Sequence, residues 1–329
     1  MPHVLAISMG DPGSIAPEVL VKALPDVLAR HPRTRVLLFG TEPPLRYAAR
    51  LASIAPFWTR SADPASATAP GVHLLDDEPH EPFPAEPNPR AGEASFRWVL
   101  RAIDACRDGH ASAVVTAPIS KHAWALAGHA QFPGHTELLA HRFDAPRHAM
   151  MFVTPSLRVA LATAHVPLAR VPAILSRSRL LDVLQLAHDA CRRLGVLAPR
   201  LAACGLNPHA GEAGLLGDED DRIIAPAVAA ARTRGLDVHG PFPADTLFRD
   251  AIDLPHRPRR YDLILAMYHD QGLIPVKLLD FDRAVNTTLG LPVPRTSPDH
   301  GTAFDLAGKN AADPGSMRAA IDLALAMSP

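Results

Sequence analysis

The chain has 329 residues, 47% of them hydrophobic and 20% charged, with a formal net charge of −1. That balance belongs to a globular protein long enough for two domains or one large α/β unit. It excludes a global field that would draw nucleic acid or an anionic membrane, so any anion must be recognised locally. No run approaches the roughly 18 apolar residues of a membrane span, and the N-terminus enters a strand without the basic and apolar regions of a signal peptide. Cys106, Cys191 and Cys204 show no CxxC spacing, and two of them fall on helical stripes. All three are expected to be buried reduced thiols in a reducing, cytoplasmic setting. The 34 prolines suggest firm loop ends, and the 17 histidines raise the question of whether they sit in loops or helices.

Pro2 to Ser8 (PHVLAIS) reads as a buried strand, followed by a Gly/Pro-rich turn, Met9 to Glu18, and a helix with Val19, Leu20, Ala23, Leu24 and Val27 on one face. The turn could hold an anion at a helix N-terminus, but it is neither GxGxxG nor a Walker loop, and strand–turn–helix is also ordinary α/β architecture. Arg35 to Gly40 is a second strand and Pro44 to Ala52 a helix. Residues 54–90 read as surface connection without chemistry, with a short strand at Val72 to Leu75. From Ala91 to Arg107 the stripe Phe96, Val99, Leu100, Ile103, Cys106 marks a helix that Gly109 ends. Ala113 to Thr116 is a strand, and Ser120 an N-cap after it. Gly134-His135-Thr136-Glu137 opens a helix, where imidazole, hydroxyl and free amides can meet one anion. A strand pair follows around Thr154-Pro155-Ser156, then a helix from Ser176 to Leu194 stopped by Gly195, and a strand from Arg200 to Gly205. The acidic run Asp218 to Asp221 reads as a solvated helix start, and Pro226 predicts a turn before the main helix. A strand at Val238 to Phe242, the apolar run Leu263 to Met267 and an apolar helix from Ser316 to Met327 complete an alternating pattern. The pattern predicts an α/β fold with a parallel or mixed sheet, divided into two lobes around a cleft.

The most informative stretch is Tyr261 to His300. It begins as the buried run Leu263 to Met267 and turns polar at His269-Asp270-Gln271-Gly272, then presents Lys277, Asn286, Arg295 and Asp299. Polar groups where an apolar strand ends suit an α/β active site, because ligands bind beyond the carboxyl ends of strands. A strand followed by a solvated loop is the plainer reading. His165, His209 and His269 each follow a predicted strand, and imidazoles converging from strand ends suit a borderline ion such as Zn²⁺. His135 is a fourth candidate, and spacing alone does not choose three from four. Lys277, Arg295 and His135-Thr136 could hold a phosphate or carboxylate, or the two cations could be surface charges.

Eight ordered blocks then carry a resemblance: Gly10-Asp11-Pro12 with Pro17-Glu18; Thr116 to Lys121; Gly134 to Glu137; Thr163 to Pro167; Gly205 to Glu212; Gly240 to Thr246; Ala266 to Gly272; and Arg295-Thr296-Ser297 with Asp299 to Ala303. In these the chain resembles the 4-hydroxythreonine-4-phosphate dehydrogenases of pyridoxal 5′-phosphate biosynthesis. The resemblance implies a two-lobed fold similar to isocitrate and isopropylmalate dehydrogenases, with a mixed sheet and central cleft. Residues 1–130 with 300–329 would form one lobe and 131–299 the other, bearing most of the site and the dimer interface. It implies a homodimer with an interface site, and NAD or NADP bound without a GxGxxG loop. His165, His209 and His269 would bind a divalent metal (Zn, Mg or Co), with His269 given across the dimer. His135, Thr136, Lys277, Asn286 and Arg295 would contact substrate, and Asp245, Asp270 and Lys277 would lie at the chemistry. Ser14 and Ala16 stand where the family usually has glycines in the first loop, which leaves that loop's details open.

The reaction so implied is oxidation of 4-phosphooxy-L-threonine at C3 with loss of CO₂, giving 3-amino-2-oxopropyl phosphate. Neighbouring activities are oxidation of 4-phospho-D-threonate or erythronate, and of a terephthalate cis-dihydrodiol; the intact Gly134 to Glu137 block favours a phosphorylated substrate. Outside the class stand a metal-dependent phosphohydrolase and a non-catalytic metal or phosphate binder. NADH formation against phosphate release separates these.

Overall fold

The computed structural model describes residues 3–76 and 82–328. Met1, Pro2, 77–81 and Pro329 lie outside the described residues, and with them the first residue of the expected opening strand and a piece of the 54–90 connection. The chain divides into two compact units, residues 1–146 with 291–329 and residues 147–290. Among the described residues no helix is long and apolar enough to cross a membrane.

The first unit opens with β1 (Val4–Ser8), α1 (Ala16–Arg30), β2 (Arg35–Gly40), α2 (Glu42–Leu51), β3 (Trp58–Arg60), β4 (Gly71–Asp76), α3 (Pro89–Arg107), β5 (Ala113–Thr116), α4 (Lys121–Leu126) and α5 (His135–Arg142). The second unit comprises β6 (Ala149–Val153), β7 (Arg158–Leu161), α6 (Val171–Ile174), α7 (Arg177–Arg193), β8 (Arg200–Cys204), α8 (Ala225–Thr233), β9 (Asp237–Phe242), α9 (Ala244–Leu247), β10 (Leu263–Ala266), α10 (His269–Asp280) and β11 (Val285–Leu289). The chain then completes the first unit with β12 (Arg295–Pro298) and α11 (Gly315–Met327).

In the first unit the strands run in the order β3-β4-β2-β1-β5-β12, every pairing parallel. Parallel strands are covered on both faces, so they read as continuous apolar runs, and Leu5, Ala6 and Ile7 of β1 and Val114 and Val115 of β5 are fully buried. Asn88 caps α3 by accepting from Ala91 N, and Ser120 caps α4 by accepting from Ala123 N, as its position predicts. The β1–α1 loop needs glycine at its first corner: Gly10 has φ +78°, and a Cβ there would lie 2.3 Å from Pro118 O. Ser14 and Ala16 need no such freedom, because neither has a positive φ. Ser14 Oγ donates to Asp11 O (2.7 Å) and accepts from Ala16 N (3.0 Å), so the serine ties the loop to the first residue of α1.

In the second unit the order is β11-β6-β7-β10-β8-β9. β6 pairs antiparallel with both β11 and β7, while β7, β10, β8 and β9 pair in parallel, giving a mixed sheet. Thr154 Oγ1 accepts from Ser156 N (3.2 Å) and Leu157 N (2.9 Å), closing the predicted turn between β6 and β7. Asp220–Ile224 forms a π-helical turn and α8 follows it, with Pro226 in the first turn.

Three departures from the sequence reading bear on the site. Residues 131–146 and 291–299 belong with the first unit, not the second. β12 pairs with β5, and Arg142 of α5 donates to Asp104 of α3 at 2.6 Å. The expected polar loop after β10 is the helix α10, despite Gly272 and Pro275. A Cβ on Gly272 would lie 2.8 Å from Leu161 Cδ2 and 2.9 Å from Val159 Cγ1, so glycine lets α10 pack flat on the sheet. Finally, β3, β11 and β12 carry too few apolar residues to be read as strands. All three cysteines are buried free thiols, as their positions suggested.

Candidate functional site

The second unit gathers histidines at strand ends. β7 is followed by His165, held at φ +54°, and β10 by His269 at the start of α10. Thr163 Oγ1 donates to Met267 O (2.8 Å), tying the two strand ends together. The rings of His165 and His269 stand 5.7 Å apart, and both line a pocket of about 130 Å³ with Asp270 and Tyr268. β8 ends in the third histidine, on the turn Pro208–Gly214. There His209, Ala210, Gly211, Glu212 and Ala213 all have φ between +46° and +83°, one turn of left-handed helix. Each non-glycine residue in that region costs roughly 1–2 kcal/mol, and such strain collects where a side chain must be aimed. Fully buried Asp220 supports the turn by accepting from Leu206 N (2.8 Å) and Asn207 N (3.1 Å). Gln271 Nε2 donates to Gly205 O (2.8 Å), which links the base of the turn to the first turn of α10.

Two of these imidazoles are oriented by carboxylates. Nδ1 of His209 lies 2.8 Å from Glu212 Oε2, and Nδ1 of His269 lies 2.7 Å from Asp270 Oδ1. A carboxylate only accepts, so each Nδ1 donates, and it is the Nε2 of each ring that is left to face a metal. In donor chemistry the residues fit a borderline divalent ion. In placement, His209 does not line the pocket of His165 and His269. Among the described residues no group of three His, Cys, Asp or Glu is close enough to hold a metal.

The first unit builds a separate, cationic corner. Arg295 on β12 is 2% exposed, and its Nη2 donates to Thr116 Oγ1 at the end of β5 (2.7 Å). His135 is the first residue of α5, stacked edge-on against Trp124 at 5.5 Å, and its Nε2 is sealed from solvent with no hydrogen-bond partner. Burial, and then the charges of Arg295 and Lys121, hold the His135 imidazole well below its ordinary basicity, so it is neutral. Burial also brings Arg295 down to about 10, opposed by Glu137. The first amides of α5, around Thr136, have no intrahelical partners and face outward from the positive end of the helix. Phosphate suits this set better than any neutral group.

The remaining predicted residues are dispersed. Asp245 on α9 lines a pocket of about 370 Å³ with Phe242, Arg249 and Tyr261, not the histidine pocket. The Pro208–Gly214 turn packs against α9 and β9. Lys277 lies on α10 with its ammonium 5.3 Å from the Phe281 ring, and Asn286 on β11 has its Oδ1 buried without a partner. One cavity lies outside the sequence reading. In the first unit, Pro12, Gly13, Ser14, Tyr47, Phe83 and Gly308 help to line an apolar space of about 440 Å³. Its walls come from four separate parts of the chain, including the 54–90 connection, so no local pattern announces it. Glu18 lines it too, with Oε2 buried and unpartnered.

Known proteins resemble the chain over nearly its whole length. The family model described as pyridoxal phosphate biosynthetic protein PdxA matches residues 33–324. The 4-hydroxythreonine-4-phosphate dehydrogenase of Desulforapulum autotrophicum is 42% identical, over 98% of this chain and 94% of its own. The D-threonate 4-phosphate dehydrogenase of Salmonella typhimurium is 40% identical over 98% of each. Among solved structures, 4-hydroxythreonine-4-phosphate dehydrogenase from Klebsiella pneumoniae is 40% identical and superposes with a TM-score of 0.87, covering 100% of both chains. With a family match over residues 33–324, a relative 42% identical along 98% of the chain and a shared fold, the chain belongs to the PdxA family.

Proposed function

We propose that this chain is an NAD(P)-linked, metal-dependent dehydrogenase that oxidises 4-phosphooxy-L-threonine at C3, with decarboxylation to 3-amino-2-oxopropyl phosphate and CO₂, in pyridoxal 5′-phosphate formation. The observation that carries this reading is the corner of the first unit, where a buried guanidinium and a neutral imidazole with a sealed Nε2 stand at a helix N-terminus. A phosphate monoester is the ligand that chemistry fits. Arg295, His135 and Thr136 bind it, and Lys277 and Asn286 supply further substrate contacts. Binding energy from the phosphate end orients the carbon that reacts.

His165, His209 and His269 are the ligands of a divalent ion, Zn, Mg or Co, with Glu212 and Asp270 holding two of the rings. When bound, the ion would supply Lewis acidity at the substrate hydroxyl, and a nicotinamide cofactor would supply the hydride acceptor. Asp245, Asp270 and Lys277 are the groups that would handle the hydroxyl proton, Asp270 with one oxygen committed to His269 and the other available. The apolar cavity at Tyr47 and Phe83 receives the adenosine end of NAD or NADP, since flat apolar walls suit an adenine ring. Among the described residues one chain does not assemble three ligands, and α10 exposes Ile274 (66%) and Leu278 (83%), with Phe281 (61%) exposed just beyond its end. Both features support a homodimer whose second copy covers that face and completes the ligand set. A cytoplasmic location agrees with the free buried thiols.

Oxidation of 4-phospho-D-threonate is the second reading, supported by relatives 39% and 40% identical that carry that activity's name. The phosphate corner serves both substrates alike. Rates of NADH or NADPH formation on each substrate, with Zn²⁺, Mg²⁺ or Co²⁺, decide between them. Phosphate release without reduced cofactor would overturn both and make the protein a phosphohydrolase.

A further inference from the structure

The start of α5 is flanked by a cation to which the reading above gives no role. Lys121 is the first residue of α4, and the Ser120 cap fixes where its side chain leaves that helix. A Cβ built on Gly134 would lie 3.3 Å from Lys121 Cε, 3.9 Å from Lys121 Nζ and 3.5 Å from Glu137 Oε2. The ammonium therefore stands over the N-cap of α5, beside the residue whose ring Nε2 is sealed and unpartnered. It is also one of the two cations whose charge acts on that ring, the other being Arg295. Glu137 shares the corner, yet Lys121 and Glu137 form no ion pair among the described residues. Two cations, one carboxylate and a helix N-terminus thus gather around a neutral imidazole. The two cations repel each other and face the positive end of the helix, and a bound anion attracts all three, while Glu137 offsets part of that positive charge.

The geometry points to Lys121 as a direct contact of the bound phosphate, gripping it from the α4 side while Arg295 grips it from β12. This rests on the reading of the corner as the phosphate site and deepens it: with two cations on the ligand, the corner selects a dianionic phosphate over a singly charged carboxylate. Glycine at 134 leaves room for this arrangement, because a Cβ there would crowd the Lys121 stem at Cε. The plainer alternative is a solvated lysine at a helix start, which opposes the local dipole and gains nothing from its position.

The test uses the purified full chain with its metal. Binding of inorganic phosphate is measured by calorimetry, and KM and kcat are measured with the phosphorylated substrate, for wild type, Lys121→Met and Lys121→Arg. Methionine keeps the stem and removes the charge, and arginine restores it. Lys121→Met is expected to weaken phosphate binding and raise KM about 10- to 100-fold, the range of one charge-assisted hydrogen bond. Its kcat should stay within about threefold, and Lys121→Arg should recover most of the loss. Wild-type phosphate affinity in Lys121→Met overturns the proposal, as does a fall in kcat at unchanged KM. Arg295→Lys separates the two levels of the reading. If it weakens phosphate while Lys121→Met does not, the corner is the phosphate site and Lys121 has no part in it. If wild type binds no phosphate, the corner and the lysine fall together.

Discussion

Asp11 offers a quantitative test of the first unit's construction. It is fully buried in the β1–α1 loop, accepts one hydrogen bond from Gly13 N (2.9 Å), and leaves Oδ2 without a partner. Burial pushes its carboxyl up from 3.8 to about 6, and the Gly13 hydrogen bond pulls the other way. With each pKa unit worth about 1.4 kcal/mol, the ionised carboxylate costs the fold about 3 kcal/mol at neutral pH. The sign follows from proton binding. Below about pH 4 both folded and unfolded chains are protonated at this site and the cost is absent. Between about pH 4 and 6 the unfolded chain ionises while the folded one keeps its proton, so stability falls as pH rises, and above about 6 the cost is constant. Asp11→Asn keeps an acceptor for Gly13 N and cannot ionise. Unfolding of wild type and Asp11→Asn should be followed in urea at a series of pH values from 4.5 to 7.5. The free-energy difference should grow in the variant's favour by roughly 2 kcal/mol across that range, because all other titrations cancel. Two parallel curves would refute the argument, and a difference growing toward acid pH would reverse it.

Three further outcomes are expected. Glu212→Ala frees Nδ1 of His209 and should weaken divalent metal binding about 10- to 100-fold in chelator competition, with Glu212→Gln retaining much of the affinity; equal affinities would remove Glu212 from the site. Gly272→Ala places a Cβ within 3 Å of Leu161 and Val159 and should lower stability by about 1–3 kcal/mol, read as a fall in Tm; an unchanged Tm would show that α10 does not need the glycine. The thiols of Cys106, pushed up to about 12 by burial, and Cys191, pushed up to about 11, should resist a thiol reagent in the native protein and react on unfolding.

Much of the fold can be read along the chain because its signals are local. The apolar runs of β1, β2, β5 and β10 mark strands covered on both faces, and the stripes of α3 and α7 mark helices packed on one side. The motif blocks point to the family because functional residues cluster at strand ends, within a few positions of one another. The hidden features depend on what lies across from a residue. α10 is hidden by Gly272 and Pro275, yet the glycine is what allows the helix to lie on Val159 and Leu161. β12, with its polar Arg295-Thr296-Ser297, is a strand because β5 offers an edge. The left-handed turn that carries His209 rests on Asp220, and the cavity at Tyr47 is closed by loops distant in sequence. The same holds for charge. His135 is recognisable as a candidate from its motif, but its neutral state is a product of burial and of Arg295 and Lys121, brought beside it from other elements. Composition, periodicity and motif thus determine which elements form and which side chains are available for chemistry. Close backbone approach, desolvation and neighbouring charge act through space, and only the tertiary structure decides what those side chains can do.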